Sequence, residues 1–285
     1  MTPPIANDKP FTGASRYVLD AELASIVNVS MGLEMPLILK GEPGTGKTML
    51  AHAIAESLKM PLIVLNVKSS MKLIEALYQY DTLTRLNDSR FGDSVRDVSN
   101  IEEYIKMGKI GQAFTADERT VLLIDEIDKA DTDFQDDMLD VLDQMEFDII
   151  EIDRRVRARN RPVIIITSNA KKDLSDPFLG RCNFHHIAFP DPKMMRKILN
   201  VHFSTLSSDL LENAVDTFYR LREIDAVEKK PATRELINWI RALQADPDFN
   251  PKKLSKGDVP FLGVLFKKSG DHQAAAGAVN RRRLF

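Results

Sequence analysis

The chain carries, at positions 41–48, the stretch Gly41-Glu42-Pro43-Gly44-Thr45-Gly46-Lys47-Thr48. It matches the pattern G-x-x-x-x-G-K-[ST], in which glycines let the backbone turn so tightly that several N–H groups converge on a phosphate. The lysine of the pattern reaches the β- and γ-phosphates, and the final hydroxyl holds magnesium. We therefore predict a phosphate-binding loop with these cofactor-binding residues: Gly41, Glu42, Pro43, Gly44, Thr45, Gly46, Lys47, Thr48 and the following Met49.

The flanks of the phosphate-binding loop have the secondary structure that such a site requires. Leu37–Leu39 is a short apolar run just before the loop, which predicts a buried strand. Met49–Leu58 is rich in alanine and has neither glycine nor proline, which predicts a helix. The positive N-terminal end of that helix favours phosphate. A glycine-rich turn that binds nothing is the alternative, and the strand–loop–helix context argues against it.

Three more continuous apolar runs extend the strand pattern, at Pro61–Leu65, Val121–Ile124 and Val163–Ile166. Because continuous rather than alternating hydrophobicity indicates strands covered on both faces, we predict a parallel sheet between helices. Strands that alternate with helices along the chain indicate an α/β fold with a doubly wound parallel sheet.

The strand-like runs stop near residue 190. Beyond Pro190, the segments Leu199–Phe218 and Pro231–Leu243 are predicted to be helices. We therefore predict an α/β nucleotide-binding domain over residues 1–190 and a small helical lid domain over residues 191–285.

Two carboxylates follow one of the apolar runs directly. Asp125 and Glu126 come at the end of Val121–Ile124, and the carboxyl ends of parallel strands are where ligands bind in open α/β sheets. Carboxylates at the end of a buried strand are costly unless they have a function. We expect Asp125 to accept hydrogen bonds from magnesium-bound waters and Glu126 to orient or activate the attacking water. The alternative is a strand that simply ends in a polar loop.

A second polar strand end follows Val163–Ile166. If this strand lies beside the strand that precedes the phosphate-binding loop, Asn169 would point at the γ-phosphate and help to place the water. The alternative is an asparagine that forms a turn.

Composition and charge narrow the functional class. The 285 residues are 44% hydrophobic and 28% charged, as in an ordinary globular protein. A net charge of -3 does not favour a surface built for nucleic acid, so we do not expect a nucleic-acid partner. The single cysteine, Cys182, excludes an internal disulfide and fits a reducing compartment. Since the apolar runs are too short to span a bilayer, we expect a cytoplasmic protein without a membrane span.

Several stretches together resemble one family, the MoxR-type AAA+ ATPases, from about Tyr17 to Gln273. Besides the phosphate-binding loop they are LLIDEIDKAD at 122–131, IIITSNA at 164–170, Arg181-Cys182 before Phe189-Pro190, and Lys230-Pro231-Ala232-Thr233-Arg234. The segment Leu77–Leu86 looks like the helix-2 insert of this family, and Phe147–Arg161 looks like its pre-sensor-1 β-hairpin. Among subgroups the chain is most similar to the short CoxD-like and CbbQ/NorQ-like members.

The resemblance assigns three further catalytic residues. Asn169 matches sensor 1, and Arg234 matches the sensor-2 arginine of the helical lid. Arg181 matches the arginine finger, which would act on ATP held by a neighbouring subunit and stabilise the developing negative charge there. Where the family often has two arginines, this chain has Gly180 and Arg181. A finger from elsewhere in the chain therefore stays open as the alternative.

The resemblance also implies a function. It implies an ATPase that uses ATP and Mg²⁺, assembles into a hexameric ring and remodels a client protein as a chaperone. The implied partner is a protein with a von Willebrand A-type domain, and the implied client is a metalloenzyme under maturation, such as carbon monoxide dehydrogenase. The alternatives are a nucleotide-gated binding switch and a nucleic-acid-associated AAA+ motor.

Four arginines at alternate positions near residue 158 form a possible basic stripe. In an extended strand, Arg155, Arg157, Arg159 and Arg161 would share one face because side chains repeat every two residues. One interpretation is a solvated surface. The other is a surface that meets an acidic neighbouring subunit or an acidic substrate segment.

Overall fold

Apolar runs and helical segments alternate along the chain, and they set its architecture. The structure, a computed structural model, describes residues 9–91, 96–169, 174–255 and 257–282. The strands within these residues are β1 Leu37–Lys40, β2 Leu62–Asn66, β3 Tyr78–Tyr80, β4 Ile105–Met107, β5 Val121–Asp125, β6 Glu146–Ile149, β7 Arg154–Arg157, β8 Val163–Ser168 and β9 Asn183–His186. The helices are α1 Ala21–Leu33, α2 Lys47–Leu58, α3 Leu73–Leu77, α4 Thr82–Phe91, α5 Lys109–Thr115, α6 Thr132–Gln144, α7 Asp176–Gly180, α8 Pro192–His202, α9 Ser208–Arg222, α10 Thr233–Ala245, α11 Lys252–Ser255, α12 Leu262–Leu265 and α13 Ser269–Arg282.

The central sheet has five parallel strands in the order β2-β5-β8-β1-β9. Val121–Ile124 of β5 and Leu37–Leu39 of β1 are fully buried, as continuous apolar runs require. The α/β fold with a parallel sheet that the sequence predicts is therefore confirmed. Since β8 pairs with both β5 and β1, the polar ends of β5 and β8 are neighbours, and the end of β8 also lies beside the end of β1, which leads into the phosphate-binding loop.

By its contacts the chain divides into two compact units. The second unit contains the described part of Ala188–Phe285 together with the short stretches Ser15–Val18 and Glu42–Gly46. The first unit contains the rest of the described residues, with a core that includes Ile38, Leu122 and Ile164. The second unit has its own core, built around Trp239 and the helices α8, α9 and α10. Most of the phosphate-binding loop thus groups with the helical unit.

The edge strand β9 and one predicted helix differ from the sequence predictions. The edge strand β9 has alternating burial with Phe184 half exposed, so it lacks the continuous apolar run that revealed the other four strands of the central sheet. The single helix predicted over Leu199–Phe218 is wrong, because α8 ends at His202. Ser207 then caps the start of α9, its hydroxyl accepting a hydrogen bond from the Leu210 N–H at 3.3 Å.

The predicted strand that carried the basic stripe is also shorter than expected. β7 pairs antiparallel with β6 and ends at Arg157, so the stripe Arg155–Arg161 does not form one strand face. Arg155 pairs with Asp148 at 2.8 Å across the hairpin, Arg157 pairs with Glu146 at 2.7 Å, and Arg159 pairs with Asp117. The acidic groups that meet these three arginines therefore belong to the same chain.

None of the helices in the described ranges combines the length and the apolar character that crossing a bilayer requires.

Candidate functional site

The phosphate-binding loop joins β1 to α2 in the tight turn that its glycines predict. Gly44 has a φ of 81° and Gly46 a φ of 95°, which lie in the left-handed region that favours glycine. The Thr45 hydroxyl donates to the Glu42 carbonyl at 3.0 Å and closes the turn. The loop ends where α2 begins at Lys47, so the N-terminal amides of the helix follow the turn directly.

Lys47 is buried at the first position of α2, with 6% of its surface exposed. Its Nζ donates to the Gly41 carbonyl at 2.9 Å. An ammonium group at the start of the helix that follows a phosphate-binding loop is suited to an anionic ligand.

A chain of hydrogen bonds links the ends of β5 and β8 to α2. The Thr48 hydroxyl donates to Asp125 Oδ1 at 2.9 Å, and the Thr167 hydroxyl donates to the same oxygen at 2.6 Å. The Thr167 oxygen in turn accepts from the Glu126 N–H at 2.9 Å. A hydroxyl and a carboxylate converge here, and these are oxygen donors of the kind that Mg²⁺ uses. The residues Thr48 and Asp125 therefore fit the metal site that the sequence predicts.

Glu126 has an unusual backbone and two partners for its carboxylate. Its φ of 61° and ψ of 49° are left-handed, an uncommon conformation for a residue with a side chain and one that clusters at functional sites. Oε1 accepts from the Asn169 side-chain amide at 3.1 Å, and Oε2 forms an ion pair with Lys129. This hydrogen-bonded ion pair raises the pKa of Lys129. Glu126 is thus held by one group from the strand end of β8 and by one from its own loop.

Asn169 is fixed from both sides. While its side chain donates to Glu126, its backbone N–H donates to Asp128 Oδ1 at 3.1 Å, and Asp128 is 4% exposed. Ala170, the next residue of the IIITSNA stretch, lies outside the described residues.

Sequence reasoning missed three residues of this network, Thr167, Asp128 and Lys129. Each is adjacent to a predicted site residue or within three positions of one, so proximity to the motif was the available signal. What the sequence lacked was the pairing of β5 with β8, which brings Thr167 to Asp125 across 42 positions.

The two arginines and Met49 are exposed side chains. Arg181 follows α7, is about half exposed, and has Asp143 at 3.9 Å. Arg234 is exposed at the second position of α10, and Met49 is 48% exposed on α2. Among the described residues no hydrogen bond or ion pair joins Arg181 to Asp125, Glu126 or Asn169.

Replacement of Thr167 by valine should lower the free energy of unfolding by about 1–3 kcal/mol, because the partly buried Glu126 amide loses the buried Thr167 hydroxyl that accepts its hydrogen bond. It should also reduce the Mg²⁺ dependence of nucleotide binding, since Asp125 loses a donor that orients it. Denaturant unfolding and calorimetry with Mg²⁺ measure the two effects. Thr167→Ser keeps the hydroxyl and should restore the Mg²⁺ dependence. Equal behaviour of the valine and serine variants would contradict this role.

Comparison with known proteins identifies the family. The family model for "ATPase family associated with various cellular activities (AAA)" matches residues 37–190, more than half of the 285 residues. The chain belongs to the AAA family. The matched range contains the phosphate-binding loop, the Asp125-Glu126 pair and Asn169, so the AAA match and the hydrogen-bond network coincide. Nucleotide binding and ATPase activity are general properties of AAA proteins.

Solved structures of Thermotoga maritima RuvB share the AAA fold of this chain. One, a RuvB mutant, is 16% identical, with a TM-score of 0.55 over 84% of this chain and 69% of that one. The other, titled as a Holliday junction branch migration motor, is 17% identical with a TM-score of 0.50. That match covers 82% of this chain but 65% of the RuvB chain, less than two thirds of it. At these identities the likeness shows the fold alone. Among curated proteins no match was found.

Proposed function

We propose that the chain hydrolyses ATP to ADP and phosphate in a Mg²⁺-dependent reaction at the carboxyl ends of β1, β5 and β8. The observation that carries this proposal is the continuous hydrogen-bond chain Thr48–Asp125–Thr167–Glu126–Asn169. A hydroxyl and a carboxylate suited to bind Mg²⁺, a carboxylate suited to act as a base, and an amide share this one network, which supports the proposal. A loop that only bound phosphate would not require the last two groups.

Each residue has a separate task in this reaction. Lys47 and the loop amides bind the β- and γ-phosphates, and Thr48 with Asp125 would hold Mg²⁺, which neutralises charge on the phosphate oxygens. Glu126 orients the attacking water and accepts its proton. Asn169 holds the Glu126 carboxylate by the 3.1 Å hydrogen bond and thereby sets the direction from which the water is activated.

Arg181 is the proposed arginine finger of a neighbouring subunit. Its side chain is 46% exposed, and its ion-pair neighbour on its own chain lies at 3.9 Å, so little holds it in place. A guanidinium supplied in trans makes hydrolysis depend on assembly. We therefore propose a homo-oligomeric ring, a hexamer by the MoxR-type resemblance.

By the same resemblance we propose that the ring remodels a metalloenzyme client together with a partner that has a von Willebrand A-type domain. A nucleotide-gated binding switch would use the same site without mechanical work.

A nucleic-acid-associated motor is the second candidate, favoured by the RuvB-like fold. One RuvB structure is described as a Holliday junction branch migration motor, which is said of that protein. The net charge of -3 and the pairing of the hairpin arginines with acidic groups of the same chain both count against it. Stimulation of ATP hydrolysis by branched DNA would favour this candidate over the chaperone.

Calorimetry with ATP and ADP, with and without Mg²⁺, tests the proposal. We expect ATP to bind with at least about tenfold higher affinity when Mg²⁺ is present, because Thr48 and Asp125 then contribute through the metal. Asp125→Asn should remove most of that difference while the protein stays folded. If folded wild-type protein takes up no adenine nucleotide in either condition, the proposed ATPase is wrong.

A further inference from the structure

A buried arginine in the helical unit reaches the phosphate-binding loop. Arg222, the last residue of α9, is 8% exposed. Its Nη2 donates to Glu42 Oε2 at 3.0 Å, and Glu42 is the second residue of the phosphate-binding loop. Its Nη1 donates to the carbonyl of Pro231, and its Cζ lies 3.5 Å from the centroid of the Phe189 ring. One side chain therefore joins three separate segments of the same unit.

The chemistry of this position requires arginine. Burial of a cation is costly unless it is paired and hydrogen-bonded, so Arg222 at the end of α9 is more than a solvated helix terminus. A planar guanidinium can stack on Phe189 while its two terminal nitrogens donate to Glu42 and Pro231. A lysine ammonium group is a single point charge and cannot make all three contacts.

A second contact joins the same two segments. A Cβ added to Gly44 would lie 2.5 Å from the Ala232 Cβ and 3.3 Å from the Thr233 nitrogen, so the loop is closely packed against the start of α10. The Ala232 N–H donates to Glu235 at 3.0 Å, which fixes the first turn of α10. Pro231, held by Arg222, is three residues before Arg234. The Arg222 link and the Gly44–Ala232 contact therefore fix both the spacing and the orientation of loop and helix.

We propose that Arg222 is a positioning residue that couples the phosphate-binding loop to the start of α10 and so places Arg234 for ATP hydrolysis. This inference rests on the proposed ATPase function and on the sensor-2 role that the MoxR-type resemblance implies for Arg234. Through Glu42, a movement of the loop on binding phosphate moves Arg222, and through Pro231 Arg222 moves the first turn of α10. Arg222 itself contacts no phosphate in this role; it acts through Arg234.

The test compares steady-state kinetics of Arg222→Met, Arg234→Ala and the double variant. We expect Arg222→Met and Arg234→Ala each to lower kcat by about tenfold, because both remove the same contribution of Arg234, while ADP affinity stays within about threefold. We expect Arg234→Ala to cause almost no further loss of kcat in the Arg222→Met background, because Arg234 is already misplaced. Arg222→Lys should not restore kcat, since the single ammonium group of lysine cannot replace the two terminal nitrogens of the guanidinium that donate to Glu42 and Pro231.

Two controls separate positioning from stability. Arg196→Met removes an arginine of the same unit that pairs with Glu212 at 2.8 Å and Asp216 at 3.0 Å, and it should leave kcat unchanged. If Arg222→Met does not fold, Glu42→Gln can be used in its place. It removes the negative charge that Arg222 pairs with, while the contacts of Arg222 with Phe189 and Pro231 remain. Its kcat is then compared with those of Arg234→Ala and of the double variant.

Full kcat in a folded Arg222→Met or Glu42→Gln variant, or losses that multiply with that of Arg234→Ala, would overturn the coupling. Absence of ATP binding in the wild type would instead overturn the proposed function.

Discussion

Replacement of Glu126 by glutamine should lower kcat for ATP hydrolysis by about 100- to 1,000-fold while ATP affinity changes by less than about threefold. The carboxamide cannot accept the proton of the attacking water, so the chemical step loses its base. Glutamine still offers an oxygen to the Asn169 amide, which donates at 3.1 Å in the wild type. Lys47, Thr48 and Asp125 are unchanged, so binding of the nucleotide is retained. Phosphate release and calorimetry measure the two quantities.

A matched control is Glu102→Gln, which replaces an exposed glutamate that pairs with Arg154 at 3.2 Å. It makes the same change of charge and size, and it should leave both kcat and affinity unchanged. Turnover of Glu126→Gln close to that of the wild type would show that the base lies elsewhere and that the left-handed Glu126 has another role.

The Glu126→Gln variant, which should bind ATP without hydrolysing it, also separates the proposed functions. If client remodelling needs turnover, Glu126→Gln will bind its client in ATP and Mg²⁺ but leave it unprocessed. If nucleotide binding alone suffices, the variant will stay active, as expected of a nucleotide-gated switch. A pull-down with this variant, followed by identification of the proteins that co-purify, would reveal the client.

The parts of the site that follow from local sequence could be predicted. The phosphate-binding loop and the Asp125-Glu126 pair are contiguous motifs, and the buried strands β1, β5 and β8 are continuous apolar runs. Asn169 required one further condition, that β8 lies beside β1, and the sheet order meets it. Local sequence motifs thus predict the residues of the candidate site, and the fold class follows from the alternation of strands and helices.

The parts that depend on long-range packing could not be predicted. Thr167 reaches Asp125 across 42 positions, and Arg222 reaches Glu42 across 180, so no local pattern marks either contact. The arginine stripe failed for a related reason. The hairpin turn falls at Ile150–Ile152, and β7 runs only from Arg154 to Arg157, so Arg159 and Arg161 lie beyond the strand. Register in a hairpin is set by the turn, and an error there reassigns every residue that follows.

The second large effect is a loss of ATP affinity that we expect from a substitution at Gly44, in the turn of the phosphate-binding loop. Replacement of Gly44 by alanine should weaken ATP binding by about 100-fold, or about 3 kcal/mol, because two penalties of about 1–3 kcal/mol each combine. The φ of 81° is strained for a residue with a side chain, and the new Cβ would lie 2.5 Å from the Ala232 Cβ. The loop must shift to relieve both, and its amides then no longer converge on the phosphate. Calorimetry with ATP and Mg²⁺ measures the loss.

Two variants separate the causes of the Gly44→Ala effect. Gly263→Ala adds the same methyl group in α12, where a Cβ meets nothing within 4 Å, and it should leave ATP affinity unchanged. Adding Ala232→Gly to Gly44→Ala removes the atom in the clash but leaves the strained φ, so it should recover about half of the lost binding free energy. Full affinity in Gly44→Ala would mean that the loop is free to move away from Ala232. The close packing of loop and helix, on which the role of Arg222 depends, would then be wrong as well.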